Sequence, residues 1–140
     1  MITCLILNMN DYYKIIDIKF FSRENGSLYA LEGNEDVPFD IKRIFYITNM
    51  SGDRANHAHY ECKQFLISLN GRFDVELING SKRKIISLDT PNKGLLINPL
   101  TWVKIFNFKD NALCLVLNSH HYDENDYIND FQKFLDLSSE

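Results

Sequence analysis

The chain is dominated by short apolar runs that are separated by turn-forming residues. In one of them, "RFDVELI" (72–78), apolar and polar residues alternate, which is typical of a β-strand with one buried face. The dipeptides Asn70-Gly71 and Asn79-Gly80 bracket this run and predict a tight hairpin on each side of it. Further runs of this kind are "YKIIDIKF", "SLYALE", "IKRIFYIT", "KQFLISL", "KRKIISL", "GLLINP", "TWVKIFNF" and "ALCLVLN". So many short strands predict an all-β sandwich or barrel.

Only the C-terminal segment shows a helical pattern. The stretch "DENDYINDFQKFLDL" (123–137) begins with Asp123, a suitable N-cap. Behind it, apolar residues follow at helical spacing, namely Tyr127, Ile128, Phe131, Phe134 and Leu135. We therefore expect one short C-terminal helix. Because the sequence contains no repeat, linker or low-complexity segment, residues 1–140 are expected to form a single domain.

Composition and charge narrow the class of function. Hydrophobic residues make up 45% of the chain, enough for a packed core. The net charge is −4 and the basic residues are scattered, so neither nucleic acid nor a membrane surface is an expected partner. No run reaches the roughly 18 apolar residues of a membrane span, and the N-terminus has no signal-peptide pattern. Cys4, Cys62 and Cys114 form no C-x-x-C motif, so we expect reduced packing cysteines in a cytoplasmic protein.

The stretch "SGDRANHAHYECKQF" (51–65) carries an H-x-H pair. On a β-strand, His57 and His59 lie on one face because side chains alternate with a period of two. Such a pair suits a metal site, an acid–base site or a hydrogen-bonded pair in a core. By contrast, the adjacent residues His120 and His121 point apart on extended chain and are expected at the surface.

An all-β chain with an H-x-H pair resembles the cupins, which fold as a double-stranded β-helix or jelly roll. The spacing of the first cupin motif is matched here by Gly52, His57, His59, Gln64 and Gly71. In metal-binding cupins a Glu of this motif and a His of the second motif complete the site. Here Gln64 replaces that Glu, and Val103 in "INPLTWVKIFNF" (97–108) stands where that His would lie. Two imidazoles fall short of the three or four protein ligands of a stable site, so we expect no metal.

Over most of its length the chain resembles one cupin family, the metal-independent 3,4-ketoisomerases of the FdtA and QdtA type, also called WxcM-like. The similar segments are "GSLYALE", "RIFYIT", "RANHAH", "LDTPNKGLLINP", Trp102 and "YDENDYINDFQKFL". The last segment is close to the family signature Y-D-E-x-D-Y-I-x-D-x-x-x-F-L. The chain departs from the family patterns R-G-x-H-A-H and P-P-G-x-W-H at Ala55, Asn98, Leu100 and Val103.

The resemblance implies an isomerase that moves the keto group of dTDP-4-keto-6-deoxyglucose from C4 to C3 through an enediol. This reaction needs proton transfer and no redox cofactor. His57 is then the base that takes the C3 proton, with an ordinary pKa of about 6.5. His59 is expected to shuttle protons between the sugar oxygens, and Tyr46 to donate a hydrogen bond to the enediolate.

The resemblance also implies residues that bind the substrate. Arg54 is expected to neutralise enediolate or phosphate charge, and Gln64 to orient an imidazole. Arg43 is a candidate contact for the pyrophosphate, because a guanidinium matches phosphate oxygens. Trp102 is a candidate platform for the nucleotide base, although a tryptophan in this position is more often part of a core.

Two other functions stay open at the level of sequence. One is a 3,5-epimerase of the same class of sugar nucleotide, in which a His base is typically paired with an Asp. The nearby candidate for such an Asp is Asp53, which is poorly placed for a dyad. The other is a non-catalytic, sugar-nucleotide-binding cupin. The family is dimeric, so we expect a homodimer with crossing N-terminal strands.

Overall fold

The computed structural model describes residues 11–138, which form ten strands and one α-helix. The helix, α1, spans Phe131–Ser138, and a 3-10 turn spans Glu124–Asp126. The strands are β1 Tyr13–Asp17, β2 Lys19–Arg23, β3 Gly26–Ala30, β4 Arg43–Ile47, β5 Arg54–His59, β6 Gln64–Asn79, β7 Lys82–Leu88, β8 Lys93–Ile97, β9 Trp102–Asn118 and β10 Tyr127–Ile128.

Two long central strands, β6 and β9, pair antiparallel along most of their length and join two halves of one curled sheet. In the first half, the strand order is β1-β8-β6-β9-β4, and in the second half it is β7-β6-β9-β5-β10. The halves enclose a common apolar core to which both contribute, for example Leu66 and Val116 from the first half and Val75 and Ile105 from the second. The predicted all-β jelly roll with a short C-terminal helix is confirmed.

Alternation along the strands separates the inner core from two outer clusters. On β6, Leu66 belongs to the inner core, whereas Phe65 and Ile67 pack on the outer face beneath Val37 and Phe39. On the outer face of the second half, α1 places Phe134 against Trp102, Ala58 and Ile128. Each half therefore has a buried outer face as well as the inner one, which holds the walls of the barrel in place.

The two Asn-Gly dipeptides occupy different structural positions, and only one of them forms a hairpin. The hairpin predicted at Asn79-Gly80 is confirmed: β6 turns into β7 through Gly80 and Ser81, and Gly80 has φ +62°. The hairpin predicted at Asn70-Gly71 is wrong, because Gly71 lies inside β6 at an irregularity of its pairing with β9. The runs on either side of it therefore form one strand that bends there.

The C-terminal helix begins later than predicted. Asp123 caps the 3-10 turn, since its side chain accepts a hydrogen bond from the Asn125 amide. The adjoining Tyr127 and Ile128 form β10 and pair with β5. The side chain of Asp130 accepts hydrogen bonds from the first amides of α1. Within residues 11–138, no helix is long and apolar enough to cross a membrane.

The hairpin of β2 and β3 stands apart from the large sheet. It exposes large apolar side chains on both faces, and Phe20 stacks on Tyr29 across the two strands with ring centroids 5.4 Å apart. Phe21 and Leu28, which pair on the opposite face, are 64% and 60% exposed.

Candidate active site

A cavity of about 200 Å³ lies between the two halves of the sheet. The first half contributes one wall through β4, β6 and β9, and the second half contributes the opposite wall through β5, β9 and β10. The lining is mostly apolar, with few polar groups, as in many sites for small molecules. The lining residues are Phe45, Ile47, Arg54, Ala55, His57, Gln64, Leu66, Val103, Ile105, Val116 and Tyr127.

A bulge in β5 brings Arg54 and His57 to the same cavity. In a regular strand, residues three positions apart lie on opposite faces. Here the pairing of β5 with β9 shifts between Ala55 and His57, and both Ala55 and Asn56 have positive φ, at 68° and 60°. The bulge resets the alternation, so Arg54, Ala55 and His57 all line the cavity.

Three rings form a cluster: those of His57 and Tyr127 line the cavity, and His59 packs against both without belonging to the lining. The ring centroids of His57 and His59 lie 5.0 Å apart, as expected for an H-x-H pair on one face of a strand. Tyr127 packs against both imidazoles, at 4.9 Å from His57 and 4.4 Å from His59. The pairing of β10 with β5 places Tyr127 directly opposite His59, so backbone hydrogen bonds fix this cluster.

Burial makes His57 a neutral base. Desolvation, together with the neighbouring His59, lowers the pKa of His57 from 6.5 to about 4. The ordinary pKa assumed from the sequence is therefore corrected: at neutral pH the imidazole already carries a free lone pair. It can accept a proton without first losing one.

His59 differs from His57 in having a carboxylate partner. Its Nδ1 lies 3.0 Å from an Oδ atom of Asp126. Burial lowers the pKa of His59, while the contact with Asp126 opposes that effect. Because the neutral ring must donate to the carboxylate, Nδ1 carries the proton and Nε2 is the bare nitrogen. Nε2 is buried and has no hydrogen-bond partner among the described residues.

Gln64 and Val103 both line the cavity, where the cupin spacing places the two missing metal ligands. Val103 lies directly opposite His57 in the pairing of β5 and β9. The amide of Gln64 donates to the side-chain oxygen of Asn118 at 2.9 Å, and Asn118 in turn donates to the Arg43 carbonyl at 3.3 Å. Gln64 therefore joins β6 to β9 and β4 through its NH₂ group, and its expected role in orienting an imidazole stays a prediction.

The structure places the remaining predicted residues at different distances from the cavity. Arg43 shares the inward face of β4 with Phe45, and its guanidinium lies 4.9 Å from the Phe45 ring and 5.0 Å from the Tyr122 ring. It therefore lies beside the cavity wall. Tyr46 points to the opposite face and is 70% exposed, which contradicts its assignment as a catalytic phenol.

Trp102 is a core residue rather than a platform for a base. It is 7% exposed and packs against Phe131 and Phe134 of α1, with ring centroids 5.0 and 5.6 Å away. The next residue, Val103, faces the cavity, so alternation turns Trp102 to the outer face. The binding role considered for it is wrong. His120 and His121 are exposed, as expected.

One cluster brings together residue types that bind metals, namely His59, Cys62 and Asp126, with candidate ligand atoms within 4.8 Å of one another. The carboxylate and the thiol of this cluster are already engaged in hydrogen bonds, however. The carboxylate of Asp126 accepts hydrogen bonds from the amides of Glu61 and Cys62 as well as from His59. Burial raises the pKa of the Cys62 thiol, which disfavours the thiolate that a metal requires. This donor set does not suit a cation.

Two of the departures from the family pattern retain a glycine-like backbone. Ala55 and Leu100, which replace glycines of that pattern, have φ of 68° and 59°. The amide of Leu100 donates to the His59 carbonyl at 2.7 Å, and the Leu100 carbonyl accepts from the Asn79 side chain at 2.9 Å. The turn before β9 thus supports the backbone of His59 despite the strain at Leu100.

Sequence reasoning missed Asp126 and Tyr127 as site residues. Both lie in the segment that was expected to be helical, and Asp126 is 67 positions away from His59 along the chain. Both residues belong to the segment that matches the family signature, but nothing local indicates that this segment pairs with β5. The dyad partner weighed from the sequence, Asp53, is an exposed residue.

Comparisons with known proteins agree with this geometry. Residues 11–139 match the family model described as FdtA: WxcM-like, C-terminal. A TDP-4-oxo-6-deoxy-alpha-D-glucose-3,4-oxoisomerase from Aneurinibacillus thermoaerophilus is 39% identical over 123 residues, 86% of this chain and 88% of that protein.

Two solved structures are also similar. One is a histidine-to-asparagine variant of the 3,4-ketoisomerase QdtA from Thermoanaerobacterium thermosaccharolyticum, in complex with TDP-4-keto-6-deoxyglucose. It has a TM-score of 0.90 and 38% identity over 91% of this chain and 94% of that one. A 3,4-ketoisomerase from Helicobacter canadensis has a TM-score of 0.88 and 40% identity over 91% of this chain and 98% of that one. This chain therefore belongs to the FdtA, WxcM-like family and is an isomerase of that family.

Proposed function

We propose that this protein is a 3,4-ketoisomerase that converts dTDP-4-keto-6-deoxy-D-glucose to its 3-keto isomer. The observation that carries the proposal is a cavity between the sheet halves that His57 and Tyr127 line, with His59 packed against both of them. The relatives described above act on or bind this class of sugar nucleotide. A cavity of about 200 Å³ suits a hexose ring, so the nucleotide would lie outside it.

The proposed reaction moves two protons and needs no redox cofactor. Neutral His57 takes the proton from C3, which the C4 carbonyl acidifies, and the resulting enediolate carries its charge on O4. His59 accepts the O3 proton through its bare nitrogen and delivers it to O4. The proton on His57 exchanges with solvent, and His57 then protonates C4, which leaves the carbonyl at C3. The face on which C4 is protonated sets the configuration of the product.

Other residues in and beside the cavity stabilise the charge of the enediolate and hold the substrate in position. Arg54 lines the cavity and stabilises the enediolate. Tyr127, which contacts both imidazoles, takes the hydrogen-bonding role that the exposed Tyr46 cannot fill. Arg43, beside Phe45 at the cavity wall, binds the pyrophosphate.

We propose that the reaction is independent of metal. The support is the donor set: Val103 stands opposite His57, and the Gln64 amide is bound to Asn118. Activity should therefore survive exhaustive treatment with EDTA. Loss of activity on chelation, with recovery on adding iron, manganese or zinc, would overturn this part of the proposal.

A 3,5-epimerase of the same substrate class is the second candidate, favoured by the hydrogen bond between His59 and Asp126. One experiment separates the possibilities: incubation with dTDP-4-keto-6-deoxyglucose in deuterated water, followed by NMR of the sugar. Deuterium at the new C4 carbinol is expected for the ketoisomerase. Deuterium at C5 indicates an epimerase, and no incorporation with retained binding indicates a sugar-nucleotide-binding protein.

The cellular setting and assembly belong to the same proposal. A 3-keto product suits later transamination to a 3-amino-3,6-dideoxyhexose for a surface polysaccharide. Cys62 and Cys114 are buried free thiols, which is compatible with the reducing cytoplasm. A homodimer is proposed because the hairpin of β2 and β3 exposes apolar residues that a second copy would cover.

A further inference from the structure

The carboxylate of Asp126 is held in place from several sides. It lies at the end of the 3-10 turn, and its side chain is 12% exposed. The Glu61 amide donates to one carboxylate oxygen at 2.8 Å. The other oxygen accepts from the Cys62 amide at 3.2 Å and from His59 Nδ1 at 3.0 Å. The backbone carbonyl of Asp126 also accepts from the Tyr60 amide at 3.0 Å.

This arrangement makes Asp126 the link between the end of β5 and the start of β10. The carboxylate can only accept hydrogen bonds, and His59 is 6% exposed and can form few others. The contact therefore fixes both the ring orientation and the position of the ring proton on Nδ1. Nε2 remains as a buried acceptor without a partner among residues 11–138, in a ring that packs on the cavity residue Tyr127.

The two imidazoles thus have different chemical surroundings. His57 faces the cavity and has no carboxylate within hydrogen-bonding distance among the described residues. His59, by contrast, lies within hydrogen-bonding distance of the Asp126 carboxylate. If His59 gains a proton from a substrate hydroxyl, Asp126 stabilises the resulting imidazolium through Nδ1. Among the described residues, the Ala55 backbone favours a charged His57, but burial and the neighbouring His59 outweigh it, so the pKa of His57 is lowered.

From this geometry we infer that Asp126 is a positioning residue, which holds His59 in the tautomer that presents Nε2 as the acceptor of an oxygen-bound substrate proton. This inference rests on the proposed ketoisomerase reaction for its chemistry, but not for the tautomer itself. Asp126 acts through His59 and is not assigned a contact with the substrate.

The tautomer is measured directly by long-range ¹H–¹⁵N correlation spectra of the ¹⁵N-labelled, substrate-free protein. His59 is expected to show a protonated Nδ1 and an unprotonated Nε2 at neutral pH. A wild-type spectrum with the proton on Nε2 would overturn the inference. This measurement needs no variant and no activity.

The variant that tests the inference is Asp126→Asn. Asn offers one acceptor oxygen where Asp offers two, so it cannot accept from the Glu61 amide and from His59 Nδ1 at the same time, and it lacks the charge that stabilises a protonated His59. The His59 ring should no longer hold its proton on Nδ1 alone, and kcat should fall about 10²–10⁴-fold with KM nearly unchanged. Exchange of the C3 proton with solvent should persist, because His57 is untouched.

The matched control is Asp123→Asn, the same substitution at the cap of the same turn. Asp123 accepts from the Asn125 amide, and Asn is an equally good cap. This variant should keep the wild-type spectrum and rate. Wild-type kcat in a folded Asp126→Asn protein would contradict the inference. An inactive wild-type protein whose His59 has the expected tautomer would instead count against the proposed function alone.

Discussion

At the scale of single residues, the environment of His57 determines when it can act as a base. Burial and the nearby His59 lower its pKa to about 4, so the neutral form persists well below neutral pH. The value of kcat/KM should stay nearly constant from about pH 7.5 to pH 5 and fall only as the pH approaches 4. The measurement is a pH profile in which the protein is verified to be folded at each point. An acid limb centred near pH 6.5 would contradict the structure.

The lowered pKa of His57 also makes the free energy of unfolding depend on pH. The folded protein resists protonating His57, so below about pH 6.5 the unfolded chain binds this proton more readily. Stability is therefore lost as the pH falls from 6.5 towards 4, by at most about 3 kcal/mol from this group. Denaturant unfolding at pH 7 and pH 5 should show a smaller loss in His57→Asn than in the wild-type protein.

A third prediction separates the two histidines by what each proton transfer requires. His57→Asn removes the group proposed to take the C3 proton, so both solvent exchange at C3 and net turnover should fall by roughly 10²–10⁴-fold. His59→Asn should retain measurable exchange, because water can partly replace a shuttle between oxygens, while net isomerisation falls. Substrate binding should change little in either variant. Full activity in His57→Asn would remove the catalytic assignment.

The sequence could predict site residues only where local spacing determines the direction in which a side chain points. The H-x-H spacing places His57 and His59 on one face, and the cupin frame places Gln64 and Val103 at the same cavity. The assignment of Tyr46 as a catalytic residue was wrong because the sequence does not determine which face of β4 points to the cavity. Asp126 was missed because its contact depends on long-range pairing of β10 with β5.

At the scale of elements, the backbone at Ala55 and Leu100 carries strain that glycine would relieve. A left-handed conformation costs a non-glycine residue about 1 kcal/mol, and the greater freedom of glycine in the unfolded chain offsets about half of that gain. Ala55→Gly and Leu100→Gly together should raise Tm by about 2–4 °C. Ala30→Gly, in the regular strand β3, is the control and should lower Tm. A lowered Tm in the double variant would show that these positions are not strained.

Strand lengths show the limit of prediction from local pattern. Asn-Gly predicts a turn equally well at Asn70-Gly71 and at Asn79-Gly80, but only the second pair ends a strand. A Cβ at Gly71 would lie 2.4 Å from the Lys109 carbonyl oxygen, so the glycine permits the close passage of β6 by β9. The presence of β9 at that point is a tertiary fact, which a window of neighbouring residues does not contain.

At the scale of the whole molecule, alternation and turn residues were sufficient to predict an all-β barrel, but not how its halves enclose a cavity. The cavity exists because β6 and β9 both bend and contribute to each half. Arg54 and His57 face it together because β5 is bulged beside β9. The cavity and the placement of its residues therefore both depend on irregularities in strand pairing. Local sequence patterns predict regular strands but not these irregularities, so the core strands were easier to predict than the site.

The hairpin of β2 and β3 is the proposed dimer contact. Two strands alone are only marginally stable in water, so this hairpin would gain from packing against a second copy. Phe21 and Leu28 pair on one face of this hairpin, and both are more than half exposed. In a homodimer a second copy would cover them. Light scattering of the wild-type protein at micromolar concentration should therefore give about twice the chain mass of 16.4 kDa.

Phe21→Asp combined with Leu28→Asp should shift this protein to the monomer, because each copy in the dimer would bury two uncompensated carboxylates. Ile85→Asp is the matched control: Ile85 is also exposed, at 44%, but lies on β7 at the edge of the other half of the sheet. It should leave the mass unchanged. A wild-type mass near 16.4 kDa would contradict the dimer, and a dimeric double variant would place the interface away from this hairpin.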